Sequence, residues 1–258
     1  MKTYIIGDIH GGFKSLIQCF ERSGFDYNKD ELIVLGDVVD GWPETRQCID
    51  ELLKIKNLIY VLGNHDLWAY NFSKHGERDE LWISQGGWNT LKSYDFKPLP
   101  PEHMALFEDA NLYVEDEEIN ALFVHGGFDP SIPIDTQKTS DLLWDRNLIA
   151  LAKKKETQAK LRAYDTKRAY IRPEIGTYKD VFIGHTTTLS YGTDKPLHYC
   201  NIWNLDTGGG WSGKLTIMDL ETKRYWQSDT VSTLYTDSSG RGDYSRYNTD
   251  VIKWLNER

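Results

Sequence analysis

The sequence predicts an α/β fold in which two sheets pack together with helices outside, and three observations carry that expectation. Short apolar runs, T-Y-I-I at 3–6, L-I-V-L at 32–35 and L-I-Y-V-L at 58–62, alternate with helix-patterned segments at 13–22 and 44–54. A second group of such runs follows residue 110, with N-L-Y-V-E at 111–115, A-L-F-V at 121–124, V-F-I at 181–183 and N-I-W-N-L at 201–205. Several of the runs stop at Asp, Asn or His, residues that can bind a cation or move a proton. Apolar runs of this length, bounded by turn residues, mark strands buried on both faces.

Taken in order, the first strand at 3–8 leads into a helix whose Leu16, Ile17 and Phe20 fall at helical spacing. After the second strand, Pro43 opens the helix at 44–54, a position where a missing N–H costs nothing. Right-handed crossovers then lay the three strands in one parallel sheet with their carboxyl ends along one edge. Residues 67–110 are aromatic, polar and helix-like, and read as an inserted cap; residues 130–180, with N-L-I-A-L-A-K-K-K-E-T-Q-A-K-L at 147–161, read as a second, helical insert. K-L-T-I-M-D-L-E-T-K-R-Y-W-Q at 214–227 predicts a hairpin turning at Glu221 and Thr222. The stretch 229–258 reads as a loose polar tail with a short helix at 248–256, so 1–258 is expected to be one domain with two cap inserts.

Composition removes several function classes. Hydrophobic content of 40% with 27% charged residues is that of a folded chain, and no apolar run approaches the roughly 18 residues of a membrane helix. The N-terminus runs straight into a strand, not a signal peptide, so a cytoplasmic protein is expected. Cys19, Cys48 and Cys200 are scattered without C-x-x-C spacing, which suggests neither disulfides nor a thiolate metal site. A net charge of −9 argues against a large nucleic-acid surface and leaves room for a cation site.

The strand ends carry Asp8-Ile9-His10, Asp37, Asn64-His65, His125 and His185. One such ending would be ordinary loop chemistry. Several converging on one sheet edge would bury an untenable set of polar groups without a metal between them. Mixed carboxylate, imidazole and amide ligands suit manganese, iron(II) or zinc, and the lack of thiolates disfavours a closed structural zinc site. Two ions about 3.5–4 Å apart can share a hydroxide and clamp a phosphate under displacement, which requires a bridging carboxylate that Asp37 is placed to supply. His75, His103 and His198 lack the strand-end context and read as ordinary histidines.

The ordered motifs G-D-I-H-G-G (7–12), G-D-V-V-D-G (36–41), G-N-H-D (63–66), H-G-G (125–127) and G-H-T (184–186) resemble the signature of calcineurin-like metallophosphoesterases. D-L-L-W-D-R at 141–146 and L-D-T-G at 205–208 are similar to the phosphoprotein phosphatase branch, which includes bacterial Ser/Thr phosphatases and diadenosine tetraphosphatases. The resemblance implies a metallophosphoesterase-type two-sheet β-sandwich and two divalent ions, manganese first with iron or zinc as alternatives. It implies that Asp8 and His10 bind the first ion, Asp37 bridges, and Asn64, His125 and His185 complete the second. It further implies that His65 is the general acid and Asp40 its orienting partner, a pairing in which the carboxylate fixes the imidazole tautomer.

Two departures bear on substrate. G-H-T-T at 184–187 offers no second histidine, which favours the phosphoprotein phosphatase branch. Gly41 stands where that branch usually carries a phosphate-gripping arginine, so phosphate binding must come from elsewhere. Arg146 is the candidate, with Arg172 behind it, since a guanidinium makes two parallel charge-assisted bonds to a phosphate; the alternative for Arg146 is an exposed first-turn helix residue. Trp68, Tyr70, Trp82 and Trp88 read as cap core, with nucleobase stacking as the alternative, and K-K-K at 153–155 as a solvated helix face. The expected activity is hydrolysis of phosphomonoesters, phosphoserine or phosphothreonine proteins first. Dinucleoside polyphosphate hydrolysis is the second expectation, and a non-catalytic metal-bearing interaction module the third. Oligomeric state is left open.

Overall fold

Two five-stranded sheets face each other across an apolar layer, with helices on both outer faces, in a computed structural model that describes residues 1–242 and 253–255. In the first sheet β1 (Thr3–Ile6), β2 (Glu31–Val34) and β3 (Asn57–Tyr60) run parallel, as the sequence predicts. The second sheet is built from β4 (Tyr113–Asp116), β5 (Ala121–Val124), β6 (Asp180–Ile183), β7 (Leu197–Tyr199) and β8 (Ile202–Asn204), ordered β4-β5-β6-β8-β7. The hairpin of β9 (Thr216–Asp219) and β10 (Tyr225–Gln227) returns to the first sheet, where β9 lies antiparallel to β1 with Tyr4 opposite Asp219.

Strand alternation explains the layering. Along β1, Tyr4 and Ile6 face the helices while Ile5 faces the other sheet; along β5, Leu122 and Val124 point outward and Ala121 and Phe123 inward. Both faces of β1 and β5 are apolar because both are covered, hence their unbroken runs in the sequence. Phe123 stacks on Phe182 at 5.1 Å in the layer between the sheets. Outside the first sheet lie α1 (Phe13–Ser23) and α2 (Thr45–Leu52); α7 (Thr139–Trp144) and α8 (Asn147–Thr166) accompany the second.

The segment expected as an aromatic cap is helical: α3 (Asn64–His75), α4 (Glu80–Trp82), α5 (Trp88–Ser93) and α6 (Pro101–Glu108). A π-turn at Ile83–Gly87 separates α4 from α5 and brings the Gly86 carbonyl to the Gly41 N–H at 3.2 Å. The stretch after residue 228 departs from the expected loose tail. Val231, in the short helix α9 (Val231–Leu234), and Tyr235 pack against Trp42, and Arg241 is buried. The reason is the stacking of Tyr235 on Trp42 at 5.1 Å, an apolar anchor inside an otherwise polar stretch. Of the helix expected at 248–256, residues 253–255 are helical and the remainder lies outside the described residues. No helix among the described residues is long and apolar enough to cross a membrane.

Candidate active site

The loops leaving β1, β2, β3, β5 and β6 converge at one edge of the paired sheets, and backbone bonds lock them to each other. The N–H groups of Ile9 and His10 donate to the Asp37 carbonyl at 3.0 and 2.9 Å, and the Trp42 N–H donates to the His10 carbonyl at 2.9 Å. The His65 N–H donates to Asp37 Oδ1 at 2.9 Å, and the His185 N–H to Asp8 Oδ2 at 3.0 Å. Such close approach demands glycine at the crossing points. A Cβ at Gly63 would lie 2.1 Å from Asp37 Oδ1, and one at Gly184 2.2 Å from Asp8 Oδ1. His10, Asp37, Asp40 and His185 all sit at positive φ, between 49° and 69°, a strained conformation for side-chain-bearing residues that concentrates at functional sites.

Tautomers follow from the backbone. His10 Nδ1–H donates to the Val39 carbonyl at 3.0 Å and His125 Nδ1–H to the Leu35 carbonyl at 2.6 Å, so each ring turns its Nε2 inward. His10 Nε2 lies 3.6 Å from Asp37 Oδ2 and 3.9 Å from Asp8 Oδ2. His125 Nε2 lies 3.4 Å from Asp37 Oδ2 and 3.0 Å from Asn64 Oδ1. Ligand-capable atoms of His10, Asp37 and His65 fall within 4.8 Å of one another, and so do those of Asp37, His125 and His185. Asp37 belongs to both groups. The Nε2 atoms of His10 and His185 are buried without a hydrogen-bond partner, a cost that a cation would remove. This donor set fits divalent metal.

Charge balance points the same way. Burial, then Arg241, pushes His10 down to about 3, and burial, then His125 and Arg146, pushes His185 down to about 2, so both rings are neutral lone-pair donors. Burial disfavours charge on His125 too, yet Asp37 and Asp8 together lift it to about 9. Asp37 is held well below the usual carboxylate range, against its burial, chiefly by the charged His125; Asp8 is pushed up by burial and by Asp206. The carboxylate field that charges His125 is one that would attract a metal ion.

His65 Nδ1 meets Asp40 Oδ2 at 2.6 Å, out of water. Asp40 is itself fixed on all sides. Trp82 Nε1–H donates to both of its oxygens at 3.0 and 2.9 Å, and the Thr90 hydroxyl donates to Oδ1 at 2.8 Å while accepting the Asp40 N–H at 2.8 Å. Burial drives Asp40 upward and His65 downward, while the Thr90 and Trp82 donors draw Asp40 back toward the carboxylate form.

The structure thus brings Asp8, His10, Asp37, Asp40, Asn64, His65, His125 and His185 together. Arg146 is exposed at the rim of the site, where its NH1 donates to the His185 carbonyl at 2.8 Å. Arg172 is elsewhere: it contacts the His198 ring at 2.8 Å and lies 4.0 Å from Glu156, beside β7 and α8. Trp82 and Trp88 are buried cap core. Trp68, half-buried, meets the His65 ring edge-on at 5.0 Å, and Trp144 stands 5.0 Å from Trp68 and 5.9 Å from His185.

Sequence reasoning missed the roles of five residues. Asp66 accepts the N–H groups of Asp37, Val38 and Gly63 at 2.8, 3.0 and 2.9 Å and the Tyr60 hydroxyl at 2.9 Å, tying the β2 loop to the start of α3. Its signal was an acid at the third residue of a helix opened by Gly63. Asp206, two residues beyond β8, is buried and lifted to about 6, first by burial; the strand-end position of L-D-T-G was the available clue. Trp82 and Thr90 hold Asp40, and Arg241 reaches in from the C-terminal stretch; no local pattern announces these contacts.

A family model described as calcineurin-like phosphoesterase matches residues 1–189. The symmetrical bis(5'-nucleosyl)-tetraphosphatase of Pseudomonas fluorescens is 26% identical over 284 residues, covering 91% of this chain and 96% of that protein. Serine/threonine-protein phosphatase 1 of Salmonella typhimurium is 26% identical over 232 residues, covering 85% of this chain and 92% of its own length. A crystal structure of a candidate diadenosine tetraphosphatase superposes with a TM-score of 0.63 at 19% identity, covering 88% of this chain and 92% of that one, a likeness of fold. With the family model spanning most of the chain and every strand-end motif converging on one edge, the chain belongs to the calcineurin-like phosphoesterases and is a phosphoester hydrolase.

Proposed function

We propose that this hydrolase acts on phosphomonoesters, with phosphoserine and phosphothreonine proteins as its first substrate class, in the cytoplasm. The observation that carries the reading is the buried His65–Asp40 pair beside the metal-binding groups. A serine or threonine alkoxide is a poor leaving group and needs a proton as it departs, whereas a nucleotide phosphate leaves without one. A site that devotes Trp82, Thr90 and Asp40 to holding one imidazole is built for the harder case.

Asp8, His10, Asp37, Asn64, His125 and His185 would hold two divalent ions, manganese first, with Asp37 shared. Bound there, the ions supply Lewis acidity toward phosphoryl oxygens and an activated water. The chain supplies the rest. Asp40 orients His65, His65 gives its proton to the leaving oxygen, and Arg146 stands at the rim where a phosphoryl group would enter.

A second reading, hydrolysis of a dinucleoside polyphosphate, is favoured by Trp68 and Trp144. Their rings stand beside His65 and His185, and Trp144 is 39% exposed, so a nucleobase has a face to stack on. Relatives carrying that activity in their names add to it. Rates on a phosphoserine peptide and on diadenosine tetraphosphate, measured side by side with manganese, iron(II) and zinc, decide the order. The first reading expects the peptide to have the higher kcat/KM; a large excess for the dinucleotide reverses it.

Metal should also be visible in stability. At a hundredfold excess over its dissociation constant, a bound ion stabilises the native state by about 2.7 kcal/mol, which for a chain of this size raises Tm by roughly 5–10 °C. A melting curve that manganese does not move relative to chelator-treated protein would remove the metal centre.

A further inference from the structure

The unusual letters G-W-P after Asp40 and the buried arginine of the C-terminal stretch meet in space. A Cβ built on Gly41, at φ +87°, would lie 3.2 Å from Arg241 Cγ, and one on Gly210 would lie 2.9 Å from Arg241 Cδ and 2.4 Å from His10 Cδ2. The stem of Arg241 therefore runs through a slot between two glycines, along the flank of a metal-binding histidine. Its head is 4.8 Å over the Trp211 ring, and one of its terminal nitrogens donates to Gln85 Oε1 at 2.7 Å. The side chain is only 8% exposed, and its Nε is buried with no hydrogen-bond partner. No carboxylate among the described residues forms a salt bridge with it, although Asp37, Asp206, Asp40 and Asp8 all bear on it electrostatically.

A buried guanidinium beside a cation site is anomalous. Its positive charge repels the ions that the carboxylates attract, and it forgoes pairing with any of those carboxylates. The arrangement makes sense when a multiply charged anion lies between guanidinium and metal. We infer that Arg241 is a phosphate-binding residue of this site, carried in by the C-terminal stretch through the space that Gly41 leaves open. The inference rests on the phosphoester reading given above. An oxygen pair on a phosphoryl group would occupy the unpartnered Nε and its neighbouring N–H in the bidentate manner of guanidinium and phosphate.

The delivery is built into the chain. Trp42 stacks on Tyr235 at 5.1 Å, and its Nε1–H donates to the Gly209 carbonyl at 2.7 Å. Gly240 lies so close to Trp42 that a Cβ would come within 2.8 Å of the ring, and the Arg241 N–H donates to the Gly210 carbonyl at 3.1 Å. Lys14 N–H donates to the Tyr235 hydroxyl at 2.9 Å, which in turn bonds Glu44. Gly41 makes room for the arginine stem and Trp42 docks the segment that bears it. Adjacent letters serve one device.

The test is inorganic phosphate binding to the manganese-loaded full chain, measured by calorimetry alongside kcat/KM, in wild type, Arg241→Ala and Arg241→Lys. Arg241→Ala should weaken phosphate binding and lower kcat/KM by about 10- to 100-fold, the range of one charge-assisted interaction, while manganese stoichiometry holds. Arg241→Lys, which keeps charge and stem but loses the fork, should recover part of the affinity and serves as the readout if the alanine chain is poorly folded. Wild-type phosphate affinity in a folded, manganese-loaded Arg241→Ala chain overturns the inference, and where that chain does not fold, wild-type affinity and kcat/KM in Arg241→Lys do so. A wild-type chain that binds phosphate but hydrolyses nothing defeats the enzymatic reading and leaves Arg241 to be judged on affinity.

Discussion

Asp66→Ala is expected to cost about 3–5 kcal/mol of folding stability, lowering Tm by roughly 10 °C or more, and to abolish phosphoester hydrolysis at temperatures where the wild type works. The substitution leaves the N–H groups of Asp37, Val38 and Gly63 and the hydroxyl of Tyr60 without their acceptor in a site sealed from water. Each buried unpaired donor costs about 1–3 kcal/mol, offset in part by relaxation and by release of a carboxylate that burial already pushes up to about 6. Asp66→Asn should fall between the two. Its carbonyl can replace Oδ2, which serves Asp37, Gly63 and Tyr60, but its amide then faces the Val38 N–H, donor against donor. Denaturant unfolding of the three chains measures the order; an alanine chain as stable as the wild type would show that Asp66 does not hold the β2 loop.

That residue also marks the limit of what the chain's letters disclose. The groups that converge on the sheet edge were legible because each follows an apolar run at a strand's carboxyl end, and strand, turn and candidate ligand are neighbours in sequence. Asp66 is adjacent to His65, yet its partners lie 28 and 29 residues away in the β2 loop, a relation that only tertiary packing creates. The hairpin at 214–227 was legible as a hairpin, while its place beside β1 depends on pairing across more than two hundred residues. Strand β7, L-H-Y, is too short and too half-buried to carry a strand pattern. Arg241 sits in a polar stretch that composition reads as solvent-facing; the anchor that buries it, Tyr235 on Trp42, pairs two residues no local pattern connects. Trp82 shows the two levels agreeing incompletely. Its size predicts core, which it is, and its single N–H donor lets a core residue also hold Asp40.

His65→Asn should lower kcat on a phosphoserine peptide by about 10²–10⁴-fold, the range of a lost general acid, with much less effect on p-nitrophenyl phosphate. The contrast is the informative quantity. A p-nitrophenolate departs readily as an anion, whereas a serine alkoxide does not, so only the second demands the proton on His65. Asparagine keeps a polar partner for Asp40, whose own contacts to Trp82 and Thr90 are independent of His65, and the loop geometry should survive. His65 also falls within reach of the His10 and Asp37 ligand atoms, which raises a rival role as a metal ligand. The two roles separate on metal content: loss of a proton donor leaves the metal content of the wild type, whereas loss of a ligand reduces the number or affinity of bound ions and slows both substrates alike. Equal fold-losses on the two substrates with full metal would remove the general-acid assignment and, with it, the physical reason for placing phosphoproteins ahead of dinucleotides.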